Sequence, residues 1–376
     1  MQTFINQYSV KVYNYSIKPL FLSIFCLLTI SLFANNVDKS SKKEKKIKKQ
    51  LNGGVNLSLL EHYWDNPNDL LKTNIVLKLN EIKSAGFSSV RVPVAFDMFL
   101  RGGSTNLRTD LIDKLGEAYN TCHDLDMRMI ITYHYGKLTN ENGYSERDKI
   151  LWIWKQIQNK FLGMGYDDLF FELYNEPTID RNYWKRDITY IVNGLRYEDK
   201  NRYYIVGGTN YNNVDELLEL GKLDDDKIFY TFHFYDPYIF THQGAQWTKE
   251  KSYITGLPYP YKRRKMPKMP PEARGTLVET NFLQYPNEAN KDFIYNRLRL
   301  IAYNCKKKNM PLICTETGVI NLVPENYRSN YLEDITSILY KLDIPTHLWD
   351  YDQTFTVTET PGVAMRCLRS WIRKTR

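Results

Sequence analysis

From Leu51 onward the chain alternates between two apolar patterns. Short runs of apolar and aromatic residues read as buried strands; between them, apolar residues recur every three or four positions, as on one face of a helix. The first run is Leu51 to Leu57. In Thr73 to Ala85, Ile75, Leu79 and Ile82 share a helical face, and Gly86 stands where a left-handed residue ends the helix. The pattern then predicts a strand over 89–96, a helix over 109–124, a strand over 129–135, a helix over 146–161 and a strand over 169–174. A helix over 180–197, a strand over 203–208, a short helix over 214–220 and a strand over 228–235 follow. Residues 236 to about 285 read as a long connection, with seven prolines from Pro237 to Pro286 and a basic cluster at Lys262, Arg263, Arg264 and Lys265. Connections of that length inside a compact domain are usually functional or mobile. A helix over 287–307, a strand over 311–318, a helix over 327–342, a strand over 346–350 and a closing helix over 362–374 complete the pattern.

Eight strand-then-helix units without a sequence repeat match an α/β fold, a (β/α)8 TIM barrel forming a single catalytic domain. An open doubly wound sheet is the alternative. Against it, no turn of the GxGxxG or GxxxxGK type follows the first strand, so nucleotide binding has no support.

The chain has 376 residues and a net charge of +8, and the location of that charge matters more than its size. Asp38 to Gln50 holds seven Lys against one Asp and one Glu, and Lys11 and Lys18 add two more charges. The remainder is close to neutral, so a nucleic-acid partner is not implied. Pro19 to Ala34 is an apolar stretch shorter than the ~20 residues that span a bilayer. It fits a signal peptide cleaved near Ala34, with an uncleaved N-terminal membrane anchor as the alternative. The expected organisation is therefore a leader or anchor over 1–34, a solvated Lys-rich linker over 35–50 and a catalytic domain over 51–376, in a secreted or envelope-attached protein. Cys122, Cys305, Cys314 and Cys367 show no CxxC spacing and read as buried free thiols, with no zinc site. The 29 Tyr and 7 Trp suit a surface that stacks on flat hydroxylated ligands, or reflect an AT-rich coding sequence.

Chemistry concentrates where the predicted strands end. The run Leu169 to Tyr174 stops at Asn175, Glu176 and Pro177, and the run from Pro311 again ends in a glutamate, Glu316. In a barrel, the C-terminal ends of the strands share one face and carry the site. Arg91, His134, His233, Tyr235 and Trp349 fall on the same rim. Two glutamates at facing strand ends suit glycoside hydrolysis: one carboxyl donates a proton to the leaving oxygen, and the other attacks the anomeric carbon. Arg91 and Tyr235 are expected to favour charge on Glu316, and a less polar setting to keep Glu176 protonated. Asn175 is placed to hydrogen-bond the sugar 2-hydroxyl and Trp349 to underlie the ring. No metal or organic cofactor is called for.

At these residues the sequence resembles the family 5 glycoside hydrolases, the large cellulase family of barrel enzymes. The matching elements are Val90-Arg91-Val92-Pro93, Tyr133-His134, Asn175-Glu176-Pro177, His233-Phe234-Tyr235, Thr315-Glu316-Thr317-Gly318 and Trp349-Asp350-Tyr351. The resemblance covers Asn52 to about Trp371. It implies Glu176 as general acid/base, Glu316 as nucleophile and a retaining double displacement, with Arg91, His134, Asn175, His233, Tyr235 and Trp349 binding the sugar. Phe240 to Trp247 resembles a segment after strand six in bacterial endoglucanases and points to a β-1,4-glucan, a cellulase-type activity. Mannan, xyloglucan and other β-glucans are the family's alternatives, as is exo action, and a non-catalytic sugar-binding barrel is the alternative outside it. The expected partner is a β-linked polysaccharide or oligosaccharide and the expected state a monomer. The basic loop 259–274 has no counterpart in the resemblance.

Overall fold

Eight parallel strands close on themselves: β1 (Gly54–Asn56), β2 (Ser89–Val94), β3 (Arg128–Tyr133), β4 (Leu169–Glu172), β5 (Tyr204–Gly207), β6 (Ile228–His233), β7 (Leu312–Thr317) and β8 (Thr346–Leu348). Each pairs with the next, and β1 pairs with β8, so no edge is left unpaired. The structure is a computed structural model that describes residues 42–358 and 372–373. The apolar segment 19–34, Cys26, Cys367 and all but two residues of the expected closing helix lie outside the described residues.

The helices Ile75–Ala85, Thr109–Asp124, Gly143–Lys160, Arg181–Arg196, Val214–Leu220, Lys291–Lys307 and Glu325–Lys341 each follow a strand in turn. Two fully buried tryptophans bind helices to the barrel: Trp154 Nε1 donates to Leu173 O at 2.9 Å and Trp184 Nε1 to Gly207 O at 2.8 Å. Buried indoles need such partners, because an unmet N–H loses its hydration without return.

Inside the barrel, side chains two residues apart share a face, and climbing toward the C-terminal rim changes their chemistry. Ile130, Phe170, Phe229 and Ile313 form part of an apolar floor. Two positions up, Thr132, Glu172, Thr231 and Thr315 are polar and fully buried, with Thr231 and Thr315 hydroxyls 2.6 Å apart. The sequence thus builds a polar cup on an apolar base.

The Lys-rich stretch departs from the expectation of a solvated linker. Residues 42–51 are helical. Ile47 and Leu51, one helical turn apart, are buried against Ile130, Phe170, Tyr203, Ile205, Phe229 and Ile313, so they seal the apolar floor. The lysines that mask this pair in the sequence lie on the other faces. A second departure lies in the connection after β6, which contains a helix, Leu277–Glu288, capped by Thr276 and tied down by Tyr285, whose hydroxyl donates to Pro258 O at 2.8 Å. Pro286 falls in its last turn, where it removes one amide donor from the helix ladder. The basic loop is held by Tyr259, whose hydroxyl meets Asp334 at 3.1 Å, and by Tyr261 N on Ala289 O at 2.9 Å, leaving Lys262 to Lys265 exposed. Cys122, Cys305 and Cys314 are buried free thiols.

Candidate active site

Arg91 is the buried centre of the polar cup. It lies within β2 rather than at its end, is fully enclosed, and spends every guanidinium N–H. Nε and Nη2 form a fork on Glu172 at 2.7 and 2.9 Å, and Nη2 also donates to Asn175 Oδ1 at 2.7 Å. Nη1 donates to Asn56 Oδ1 at 2.8 Å and to Glu316 Oε1 at 2.7 Å. Asn56 is itself aimed by Nδ2 bonds to Thr315 O and Leu348 O at 3.0 and 3.1 Å. Burial works against the Arg91 charge, but Glu172 and Glu316 outweigh it and hold the guanidinium pKa above its ordinary value.

Glu316 reaches the cup through an irregularity in β7. Phe232 pairs with Cys314, but the next residue, His233, pairs with Glu316, so Thr315 is the extra residue of a bulge. With one residue inserted, the face of the following side chain is reset, and Thr315 and Glu316 both serve the interior. Glu316 Oε1 takes the Arg91 bond, and Oε2 accepts from the Tyr235 hydroxyl at 3.1 Å. His233 Nδ1 stands 2.7 Å from Glu176 Oε1 and 3.5 Å from Glu316 Oε2, bridging the two glutamates. Glu176 follows the end of β4 with a left-handed backbone, φ 49°, and its side chain is 32% exposed. One carboxylate oxygen from each glutamate and a His233 ring nitrogen lie within 4.8 Å of one another. They are also the three donors among the described residues grouped closely enough to ligate an ion, although the His233 contact to Glu176 already occupies two of them.

The electrostatics differ from the expectation for the pair. Glu316, almost fully buried, is raised by that burial, with His233 and Arg91 drawing it back down. Glu316 is the more buried of the two, because the bulge carries it down into the cup while Glu176 stands beyond its strand. Burial also opposes a charged His233, but Glu316 and Glu176 prevail and raise it. Burial holds the Tyr235 hydroxyl well above the ordinary tyrosine range, with both glutamates adding to it, so it remains a donor. The His134 imidazole is pushed well below its usual value by burial, then by Arg91 and His233, and it is neutral. It stacks on half-buried Trp349 at 5.8 Å between ring centroids, and its Nδ1 has no hydrogen-bond partner among the described residues.

All eight residues picked out in the sequence therefore come together at the C-terminal end of the barrel, with Arg91 lying deeper in the cup than the rim position expected of it. The structure adds others. Glu172 and Asn56 hold Arg91, and His242 braces Tyr235 by ring contact at 4.9 Å while stacking on Tyr238 at 3.9 Å. That contact gives the segment 240–247 a positioning role beside the site. Tyr63, Trp64 and Tyr135 make an exposed aromatic cluster past the ends of β1 and β3. Asn212 is fully buried at the end of a turn in which Asn210, Tyr211 and Asn212 all have left-handed φ values of 52°, 63° and 53°. A closed barrel with two facing carboxyl groups at the C-terminal end of its strands is the arrangement that glycoside hydrolysis uses.

The comparisons agree. The cellulase model, glycosyl hydrolase family 5, matches residues 43–354, and the chain belongs to that family. It is a glycoside hydrolase. It is 27% identical to Endoglucanase 3 of Fibrobacter succinogenes over 344 residues, which is 84% of this chain but only 52% of that protein. It is also 27% identical over 290 residues to Endoglucanase C of Acetivibrio thermocellus, covering 73% of this chain and 82% of the relative. The fold matches a hyperthermophilic endo-β-1,4-glucanase in complex with substrate, with TM-score 0.71 and 21% identity over 87% of this chain and 98% of that one. It also matches Thermotoga maritima Cel5A in complex with mannotriose, with TM-score 0.71 and 20% identity over 87% and 99% of the two chains.

Proposed function

We propose that the chain is a retaining endo-β-1,4-glucanase in which Glu316 is the nucleophile and Glu176 the general acid/base. The observation that carries this reading is the approach of the two glutamates, with an oxygen of each within 4.8 Å. Retaining pairs stand about 5–5.5 Å apart, whereas inverting pairs leave room for a water at about 6.5–9.5 Å. Donors on both Glu316 oxygens, Arg91 and Tyr235, suit an ionised nucleophile. Glu176 accepts at Oε1 from His233, which leaves Oε2 to carry the proton given to the glycosidic oxygen. Once the glycosyl-enzyme forms, the same carboxylate takes a proton from water, and the hydroxide displaces Glu316.

Arg91 fixes the amide oxygen of Asn175, which commits the amide nitrogen to the sugar 2-hydroxyl. His134, stacked on Trp349, suits a contact to a substrate hydroxyl, and Trp349, with Tyr63 and Trp64 further along the rim, supplies flat faces for sugar rings. The β-1,4-glucan assignment is supported by the endoglucanase relatives. A mannan-type substrate is the second reading, favoured by the mannotriose complex of a protein with the same fold. The apolar segment 19–34 and the lysines around it support export, by cleavage near Ala34 or as an anchored protein. Among the described residues no helix is long and apolar enough to cross a membrane.

The test is product release by the full chain on carboxymethyl-cellulose, glucomannan, xyloglucan and laminarin, with Glu316→Gln as the blank. A rapid fall in viscosity on carboxymethyl-cellulose that the variant lacks is the expected result. Activity confined to glucomannan keeps the mechanism and replaces the substrate, and full activity in the variant overturns the nucleophile assignment.

A further inference from the structure

His233 touches Glu176 through one ring nitrogen, and the other is not open to solvent. Nε2 lies 3.1 Å from the amide nitrogen of Asn212, which is fully buried. The amide is seated against Gly207, where a β-carbon would come within 2.0 Å of Asn212 Oδ1. It is delivered by the left-handed turn Asn210-Tyr211-Asn212, a conformation that L residues rarely adopt in succession. Such backbone persists where its surroundings over-determine it, and it gathers at functional sites.

We infer that Asn212 is a positioning residue that sets the protonation of His233: its Nδ2–H donates to Nε2, so the single imidazole proton must sit on Nδ1 and point at Glu176 Oε1. A proton on Nε2 would face the amide hydrogens, donor against donor. The charged groups around His233 are Glu176 beyond β4, Glu316 on β7 and Arg91 on β2, with neutral His134 beside them. The two carboxylates favour an imidazolium, and the amide opposes it. The consequence lies on Glu176: Oε1 accepts from a neutral imidazole, and the acid proton is confined to Oε2. An imidazolium would instead stabilise the Glu176 carboxylate and weaken it as an acid.

The inference rests on Glu176 being the general acid, and its test keeps the two apart. Nitrogen-15 spectra of the full-length wild-type protein labelled at histidine should show His233 with a bare Nε2 and a protonated Nδ1. A protonated Nε2 in the wild type overturns the proposal. Asn212→Asp, nearly isosteric, replaces the donor by an acceptor and should protonate Nε2. With an unactivated aryl cellobioside its kcat/KM should fall on the order of 10- to 100-fold, within the range of acid catalysis. With 2,4-dinitrophenyl cellobioside, whose phenolate leaves unprotonated, kcat/KM should stay within about threefold, since no acid is needed. Equal losses on both substrates would reduce Asn212 to a packing role and refute the proposal. Glu176→Ala is the control: if it too loses both activities equally, the acid assignment fails, whatever Asn212 does.

Discussion

Replacing Glu172 by Gln tests whether the buried arginine is held by this carboxylate. Glu172 is fully buried and takes two of the Arg91 bonds, at 2.7 and 2.9 Å. Gln keeps the shape and one acceptor oxygen but turns an NH2 toward a guanidinium N–H. Removing one partner of a buried ion pair costs about 3–5 kcal/mol, and the retained acceptor places this substitution near the lower figure, about 3 kcal/mol. The urea midpoint at pH 7 should fall accordingly with an unchanged slope.

The same substitution reaches the chemistry. Without the Glu172 charge, Arg91 acts on Glu316 less compensated, which favours the Glu316 carboxylate and lowers its pKa. The acidic limb of kcat/KM should therefore move to lower pH. Loosening the charge-assisted bonds on Glu316 and Asn175, each worth about 1.5–3 kcal/mol, should cost at least about tenfold in kcat/KM. A stability loss below about 1 kcal/mol together with an unmoved acidic limb would refute the reasoning and make Glu172 a spectator.

Two further outcomes follow from other parts of the fold. Ile47→Ala opens a cavity in the apolar floor and should lower stability by about 2–5 kcal/mol, measured by urea unfolding, whereas a residue in a solvated linker would give no change. Asp350 is buried, and that burial raises its pKa to about 7, with Asp352 and Glu61 adding to it against a backbone bond from Gln353. The unfolded chain releases this proton near pH 4 and the folded chain near pH 7, so the group contributes stability at low pH that is lost as pH rises between them. Asp350→Asn should flatten that decline and gain on the wild type by at most about 4 kcal/mol at pH 8; parallel urea midpoints at pH 4.5, 6 and 8 would contradict it.

The rim was legible because barrel strands are short apolar runs, and a polar residue that stops one is conspicuous. That exposed Asn175, Glu176 and Glu316 directly, and His134, Tyr235 and Trp349 by the same token. Glu172 was present in the same run but read as part of the strand. Its position two residues after Phe170 placed it on the inward face, and a charge there requires a partner. The bulge at Thr315 leaves no mark in composition, because Thr is at home in any strand, and without it Glu316 would be assigned to the wrong face. Asn212 was hidden for a different reason. A left-handed turn usually announces itself by glycine, and here Asn, Tyr and Asn adopt it under tertiary constraint. The plugging helix was concealed by charge, since Ile47 and Leu51 are a narrow stripe among lysines.

The unequal treatment of the two buried carboxylates on Arg91 explains why one is structural and the other is proposed to react. Glu172 meets the guanidinium edge-on through both oxygens and has no exposure, so its lone pairs are directed into the protein. Glu316 receives a single Arg91 bond, from a nitrogen it shares with Asn56, and its second oxygen accepts a hydroxyl that does not ionise in the working range. It is left incompletely neutralised and slightly open toward the rim, 5% exposed against none for Glu172. Burial then raises its basicity above that of a carboxylate in water, and a more basic oxygen is a better nucleophile as long as it is ionised. Arg91 and His233 set that limit: they draw the pKa back down without holding the anion in a fork. A stronger clamp on Glu316 would yield a second Glu172, stable and unreactive.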